Sequence, residues 1–331
     1  MTALLEINDL SVAIHPHSLG NWFRRHAGKS VRAVNGLSLT LARGDCLAIV
    51  GERGSGRRPL AEAILRLTDI EAGDIHFDGQ SLRGLRGSAL NAFRQRVQMV
   101  TGDPAASLNP RLTIAETLAE PLRARRICPA REIPARIDAL MTRVGLSPEL
   151  RRRRPATLSA GERQRVAIAR AISVGPELLV ADNMIVGLDV SVQAQIINLL
   201  ADIQHEARLS LIFIAPDLRG VRHLCRQVAV MYLGRIVEHG PMEEILARPR
   251  HPYTQAIVAS TPKMQAAAPP PRAALAGEPP SAVDLPRGCA FHPRCAKVKT
   301  ICRSGSPPVQ RYDGPVTVWC HLYPEGPAPH R

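Results

Sequence analysis

Three short apolar runs constrain the fold of this chain more than anything else in it. Cys46-Leu-Ala-Ile-Val50, Leu178-Leu-Val-Ala181 and Leu209-Ser-Leu-Ile-Phe-Ile-Ala215 are β-rich and continuous rather than alternating. Such runs fit strands of a parallel sheet that is covered on both faces. Helical patterns lie between them, at Arg163–Val174 and Ser191–Glu206. Strand–helix alternation predicts an α/β domain. Residues 80–155 are more polar and read as a helical insertion, with no strand expected after Val97–Val100. Residues 264–286 form a Pro/Ala-rich linker that contains Pro269-Pro-Pro271, and a Cys-rich tail follows. His15–Ser30 reads as a polar loop, with His15 and His17 as surface residues.

Composition removes several function classes. The chain has 331 residues, 45 % of them hydrophobic, which suits one large domain with a small appendage rather than disorder. No run reaches the ~18–20 apolar residues of a membrane helix. Met1-Thr-Ala-Leu-Leu lacks the basic start of a secretory signal, so the cytosol is expected and any membrane span must come from other subunits. The formal charge of +14 raises the question of an anionic partner, but aromatic residues are only 3 % and leave little to stack bases on, so nucleic acid is not expected. Arg151-Arg-Arg-Arg154 reads as a solvated turn before a helix, near a membrane surface.

The strand Cys46–Val50 runs into Gly51-Glu52-Arg53-Gly54-Ser55-Gly56-Arg57-Arg58 and then a helical pattern from Pro59 to Leu67. Strand, Gly-rich loop and helix form the geometry of a P-loop, in which backbone N–H groups and a helix N-terminus cradle phosphates. The pattern is G-x-x-x-x-G-K-[ST]. Arg57 keeps the positive charge of the Lys but is larger and planar. Arg58 replaces the hydroxyl that ligates Mg²⁺, so Mg²⁺ binding here is in doubt. Pro59 is tolerated in a first helical turn but removes an N–H.

Leu158-Ser159-Ala160-Gly161-Glu162-Arg-Gln-Arg-Val-Ala-Ile-Ala-Arg-Ala171 resembles the LSGGQ signature of ABC ATPases and the helix after it. Leu178–Asp182 looks like the Walker B strand, with Asp182 as its acid, and Gly187-Leu-Asp189 looks like the D-loop. Within that family the chain resembles ATP-binding subunits of oligopeptide, dipeptide and nickel importers. Asp103-Pro-Ala-Ala-Ser-Leu-Asn-Pro110, His251-Pro-Tyr-Thr-Gln255 and Gly288-Cys-Ala-Phe-His-Pro-Arg-Cys295 carry that likeness, which covers roughly residues 4–325. The resemblance implies an ABC ATPase fold of the P-loop NTPase class: a RecA-like core, an antiparallel β part and a helical subdomain. It implies ATP as the ligand and a head-to-tail dimer, with each ATP held between one P-loop and the other subunit's signature. The expected partners are a second ATPase subunit, two membrane permeases and an extracytoplasmic solute-binding protein. The expected place is the cytoplasmic face of the bacterial inner membrane. The expected organisation is an ATPase domain over 1–250 (helical part about 85–160), a linker with the His-Pro-Tyr-Thr segment over 251–286, and a Cys-rich module over 287–325.

The chain departs from the family at its own nucleotide site. Ile14 stands where an aromatic stacks on adenine, Gly102 at the Q-loop glutamine, Asn183 at the catalytic glutamate and Pro216 at the switch histidine. Met184-Ile-Val186 replaces a Pro-Thr-Ser run, and Ala160 stands for the first signature Gly. Loss of a general base costs ~10²–10⁴ in rate, and each lost charge stabiliser ~10²–10³. These losses fall on the site built from this chain's P-loop. Ser159, Ala160 and Gly161, facing a partner's P-loop, are largely intact, as is Asp189. The pattern suits a heterodimer in which this chain donates its signature to a competent partner. A non-hydrolysing structural or regulatory subunit and a decaying gene copy are the alternatives.

Cys46, Cys128 and Cys225 are scattered, whereas Cys289, Cys295, Cys302 and Cys320 crowd the tail. Four thiolates in a C-x5-C-x6-C-x17-C pattern could hold Zn²⁺ or a four-iron, four-sulfur (4Fe–4S) cluster, or stay reduced thiols. The family resemblance implies the iron–sulfur cluster.

Overall fold

A computed structural model describes residues 3–14, 30–260, 277–304, 311–313 and 315–323. His15, His17 and the Pro269–Pro271 part of the linker lie outside the described residues. In chain order the strands and helices are β1 (Ala3–Ile14), β2 (Val31–Ala42), β3 (Cys46–Val50), α1 (Arg57–Ile64), β4 (Ala72–Phe77), β5 (Gln80–Ser81), α2 (Gly87–Arg96), β6 (Val97–Thr101), α3 (Pro104–Ser107), α4 (Ile114–Ala124) and α5 (Ile133–Arg143). There follow α6 (Ala160–Ile172), β7 (Leu178–Asp182), α7 (Val190–Ala207), β8 (Ser210–Ala215), β9 (Gln227–Tyr232), β10 (Arg235–Pro241), α8 (Met242–Ala247), α9 (Pro252–Ser260), β11 (Arg311–Asp313) and β12 (Val316–Val318). The chain forms two units, one of Ala42–Cys46 and Gly84–Ala215, the other of Thr2–Leu41, Leu47–Arg83 and Pro216–Arg331. Each is described by itself.

The first unit is built on the parallel strands β8, β7 and β6. Leu178 lies opposite both Val97 and Ser210, and Asp182 lies opposite both Thr101 and Ile214. Every residue of β7 and β8 is buried, which is why the sequence shows no alternation there: both sheet faces are covered. Each Leu or Ile side chain so buried contributes roughly 1.5–3 kcal/mol. Helices α2 to α5 fall within residues 87–143, and among the described residues no strand lies between β6 and β7. Thr113 and Glu116 close a capping box at the start of α4, satisfying N–H groups the helix cannot pair internally. The Arg151–Arg154 run is less free than expected. It lies in and just after the 3₁₀ turn Pro148–Arg152, and Arg151 Nη1 donates to Asp138 on α5 at 2.8 Å.

The second unit holds two strand sets. One is antiparallel, in the order β2-β1-β4-β5, with Leu5 opposite Phe77 and Ile7 opposite Ile75. In β2 the burial alternates from Leu37 to Leu41, the pattern of a sheet with one face on the core. The other set runs β11-β12-β10-β9-β3. There β3 pairs in parallel with β9 through Val50 and Val230, and β10 turns back antiparallel on β9. The tail strand β12 continues this set by pairing Val318 with Glu238 of β10. No helix among the described residues is long and apolar enough to cross a membrane.

Candidate functional site

The candidate site residues fall on both units and are described unit by unit. On the first unit, Ser159 is the N-cap of α6 and its Oγ accepts from the Glu162 N–H at 3.2 Å. Glu162 Oε2 in return accepts from the Ser159 N–H and hydroxyl, each at 2.8 Å. The Ser159 N–H, and then its hydroxyl, hold the Glu162 carboxyl below the usual carboxylate range. Leu158 is buried, whereas Ser159 and Ala160 are exposed, so the helix presents its N-terminal end outward. Arg165 and Arg170 fasten the helix by donating to the carbonyls of Val144 and Ser107 at 2.6 and 2.7 Å. Val186 and Val190 flank Gly187–Asp189 at 46 and 82 % exposure. Asp189 is the N-cap residue of α7 and is itself exposed.

Behind the signature helix lie the positions expected to serve catalysis. Asp182 ends β7 and is buried. Asn183 has a left-handed backbone, φ 52°. Its Nδ2 donates to Asp182 Oδ1 at 2.7 Å, and its N–H donates to the Ile214 carbonyl at 2.9 Å. The side chain therefore caps the neighbouring carboxylate with an amide that has no base strength at neutral pH. Gly102 follows β6, and a Cβ placed on it would lie 2.4 Å from the Asn183 carbonyl oxygen. The backbone has closed over the Q-loop position, so no side chain can start there without moving Asn183. Gln164 of α6, buried, donates to the Thr101 carbonyl one residue before Gly102.

On the second unit, β3 leads into the Gly-rich loop and α1. Gly51 and Gly56 are required by space: a Cβ on Gly51 would sit 2.2 Å from the Met231 carbonyl oxygen, and one on Gly56, at φ 99°, 2.0 Å from that of Ala33. Gly54, φ 81°, faces open space. The loop is thus a backbone cradle with an open mouth, leading into a helix with no acid in its first turn. That fits a polyphosphate held by N–H groups. The cations divide: Arg57 is 7 % exposed with its Nε donating to Ser55 Oγ at 3.2 Å, while the Arg58 side chain is 75 % exposed and paired with Glu62 at 3.0 Å. Arg58 thus brings no hydroxyl to the position where a Mg²⁺ ligand is expected. Pro216 is exposed, and Ile14, at the end of β1, is 44 % exposed.

The tail thiols are free. Burial pushes Cys289 up to about 11, with Cys302, Cys320 and Cys295 near enough to add to the effect. Burial likewise raises Cys295 and Cys320. Among the described residues no group of three or more His, Cys, Asp or Glu is arranged to hold a metal ion. The placement gathers the sulfurs yet does not support the zinc or iron–sulfur group expected of them.

Two residues that contact the loop carry no motif of their own. Tyr253 accepts the Glu52 N–H at 2.8 Å, and Arg294 grips the Glu52 carboxylate with both terminal nitrogens, at 2.7 and 3.2 Å. They lie inside the two segments, His251–Gln255 and Gly288–Cys295, that sequence alone connects with a family and not with a role.

Comparison with known proteins places the chain in a family. Residues 34–186 match the family described as ABC transporter, and residues 237–302 match the C-terminal region of oligopeptide/dipeptide transporters. A probable peptide ABC transporter ATP-binding protein of Sinorhizobium fredii is 43 % identical over 99 % of this chain and 92 % of its own. An oligopeptide transport ATP-binding protein of Escherichia coli is 41 % identical over 92 % of both chains. Among solved structures, a part of the ABC transporter complex cbiONQ from Clostridium perfringens is similar, with TM-score 0.64 and 25 % identity over 75 % of this chain and 92 % of that one. A dimeric ATP-binding cassette with ADP and Pi shares the fold at TM-score 0.63 and 21 % identity, over 72 % of this chain and 98 % of that one.

Proposed function

Because the chain belongs to the ATP-binding proteins of ABC transporters, among those with the oligopeptide/dipeptide C-terminal region, we propose that it is the nucleotide-binding subunit of a peptide importer whose own P-loop site is catalytically silent. It works at the cytoplasmic face of the inner membrane with a second ATP-binding subunit, two permeases and a solute-binding protein. It lends its signature, Leu158–Glu162, to the second subunit's ATP.

The observation that carries the silent site is the closure of Gly102 over Asn183. Hydrolysis needs a group that polarises water against the γ-phosphate. Asn183 accepts no proton at neutral pH and points its N–H at Asp182 instead. A glutamine cannot be seated at 102 in this backbone. Arg58 offers no oxygen to Mg²⁺ and its side chain pairs with Glu62, so in this reading nucleotide is held by the loop's backbone and the start of α1 without the metal. The outward Ser159 and Ala160, and the apolar surface of Val186 and Val190, support a partner-facing signature and D-loop. Iron and sulfide analysis of the purified chain tests the cluster expected of the tail thiols, and stoichiometric iron would restore it.

The deciding experiment measures ATP hydrolysis by the chain alone, by a mixture with its candidate partner, and by a mixture in which the partner's Walker B glutamate is replaced. Silence alone, activity in the mixture and loss with the partner mutation are expected. Steady turnover by the chain alone overturns the silent site. A silent mixture favours a structural or regulatory subunit.

A further inference from the structure

We propose that the C-terminal cysteine module positions the phosphate loop, with Arg294 and Tyr253 clamping Glu52 so that the loop is held in shape for a nucleotide. The proposal rests on the reading of that loop as a nucleotide site.

Glu52 is fixed at three groups: its N–H, its carbonyl and its carboxylate. Its N–H goes to the Tyr253 hydroxyl at 2.8 Å. Its carbonyl accepts the Ser55 N–H at 3.1 Å, closing the loop's first turn. Its carboxylate takes both terminal nitrogens of Arg294, a bidentate charge-assisted pair that fixes direction as well as distance. The Arg294 side chain is 5 % exposed and that of Glu52 31 %. The Glu52 N–H is thereby committed to Tyr253 and the Ser55 N–H to the Glu52 carbonyl, which leaves the other loop N–H groups for phosphate.

Both clamping residues are themselves anchored. Arg294 ends the 3₁₀ turn His292–Arg294, next to Cys295. Phe291, just before that turn, meets Tyr232 edge-on at 5.3 Å and Tyr253 at 5.5 Å. Tyr253 lies in the first turn of α9, and its own N–H donates to His251 Nδ1 at 3.0 Å. Glu238 of β10, buried, accepts the N–H groups of Arg250 and His251 at 2.8 and 2.7 Å and so sets where α9 begins. The two segments without an assigned role thus converge on one residue of the loop. Aromatic packing sets the distance, and the ion pair sets the orientation. The Glu52 carboxylate also holds the Arg294 guanidinium firmly charged.

The test uses the full chain. Hydrogen exchange of the amides of 53–56 is measured without nucleotide in Arg294→Ala, Glu52→Gln and Arg294→Lys, and affinity for a fluorescent ATP analogue is measured beside it. Arg294→Ala and Glu52→Gln are each expected to speed loop exchange about tenfold, while β10 and β12 keep their wild-type rates. Analogue binding should weaken about tenfold, equivalent to roughly 1.4 kcal/mol. Arg294→Lys, which keeps the charge but not the fork, should recover part of both. Unchanged loop exchange in a folded Arg294→Ala or Glu52→Gln chain overturns the proposal, as does exchange that rises equally in β10 and β12. If the wild-type chain binds no analogue, the nucleotide reading falls, and loop exchange still decides the clamp.

Discussion

Replacing Gly102 by alanine adds one methyl group where the structure has no room for it. The new Cβ would stand 2.4 Å from the Asn183 carbonyl oxygen, 2.9 Å from its carbonyl carbon and 3.4 Å from its Cβ. Asn183 cannot move aside cheaply. Its N–H is bonded to Ile214, its side chain to Asp182, and its carbonyl oxygen accepts the Val186 N–H at 3.0 Å. Overpacking of this kind costs about 1–3 kcal/mol, and breaking the Val186 bond adds about 0.5–1.5 kcal/mol. The sum, about 1.5–4.5 kcal/mol, corresponds to a melting-temperature drop of roughly 3–18 °C at about 2–4 °C per kcal/mol. Scanning calorimetry reads it directly. Gly84→Ala in the same unit is the control, since a Cβ there meets nothing within 4 Å. A Gly102→Ala chain that melts with the wild type refutes the closed-backbone argument, and so does a stable Gly102→Gln chain that hydrolyses ATP.

Ser159→Ala removes the cap of α6 and should cost about 1 kcal/mol in chemical denaturation. The same change should lower turnover of the two-subunit mixture by about 10²-fold, and a mixture that loses stability but no turnover would argue against a donated signature. His251 is buried neutral, with burial lowering its pKa from 6.5 to about 3. The unfolded chain therefore takes up the proton first as pH falls, so the stability is complete above 6.5 and is lost progressively toward 3. At about pH 5 the loss is about 2 kcal/mol. Burial raises Glu238 above 4.5, which acts in the opposite sense as pH falls toward 4.5, and it does so in wild type and His251→Asn alike. Burial also lowers His239, which stays in place, so urea midpoints above about pH 7 and near pH 5 should diverge more in the wild type than in His251→Asn. Equal pH slopes in both chains would sink this assignment.

The parallel strands were legible because burial on both faces leaves an unbroken apolar run. Cys46–Val50 is β3, and Leu178–Ala181 differs from β7 only by Asp182. The signature helix was legible as well, although it begins at Ala160 rather than Arg163 because the Ser159–Glu162 box starts it earlier. Gly102 could be placed by alignment with the family pattern but not understood from it. Its closeness to Asn183 depends on a left-handed residue at the end of a neighbouring strand, and sequence spacing carries no such information. Arg294 was hidden for a related reason: an arginine among many basic residues gives no sign of the carboxylate it will meet.

The bond between Glu52 and Arg294 spans 242 residues of sequence. During synthesis at about 5–20 residues per second, the phosphate loop emerges roughly 10–50 s before the residue that holds it. Local pairing cannot finish this loop, since the closing contact is among the longest-range the chain makes and long-range contacts form late. A ribosome that stalls, or a chain cut short before residue 294, leaves strands, helices and a glycine loop already folded, with the nucleotide seat unfinished. Completion of the tail thereby marks the moment at which the subunit is ready to take a nucleotide.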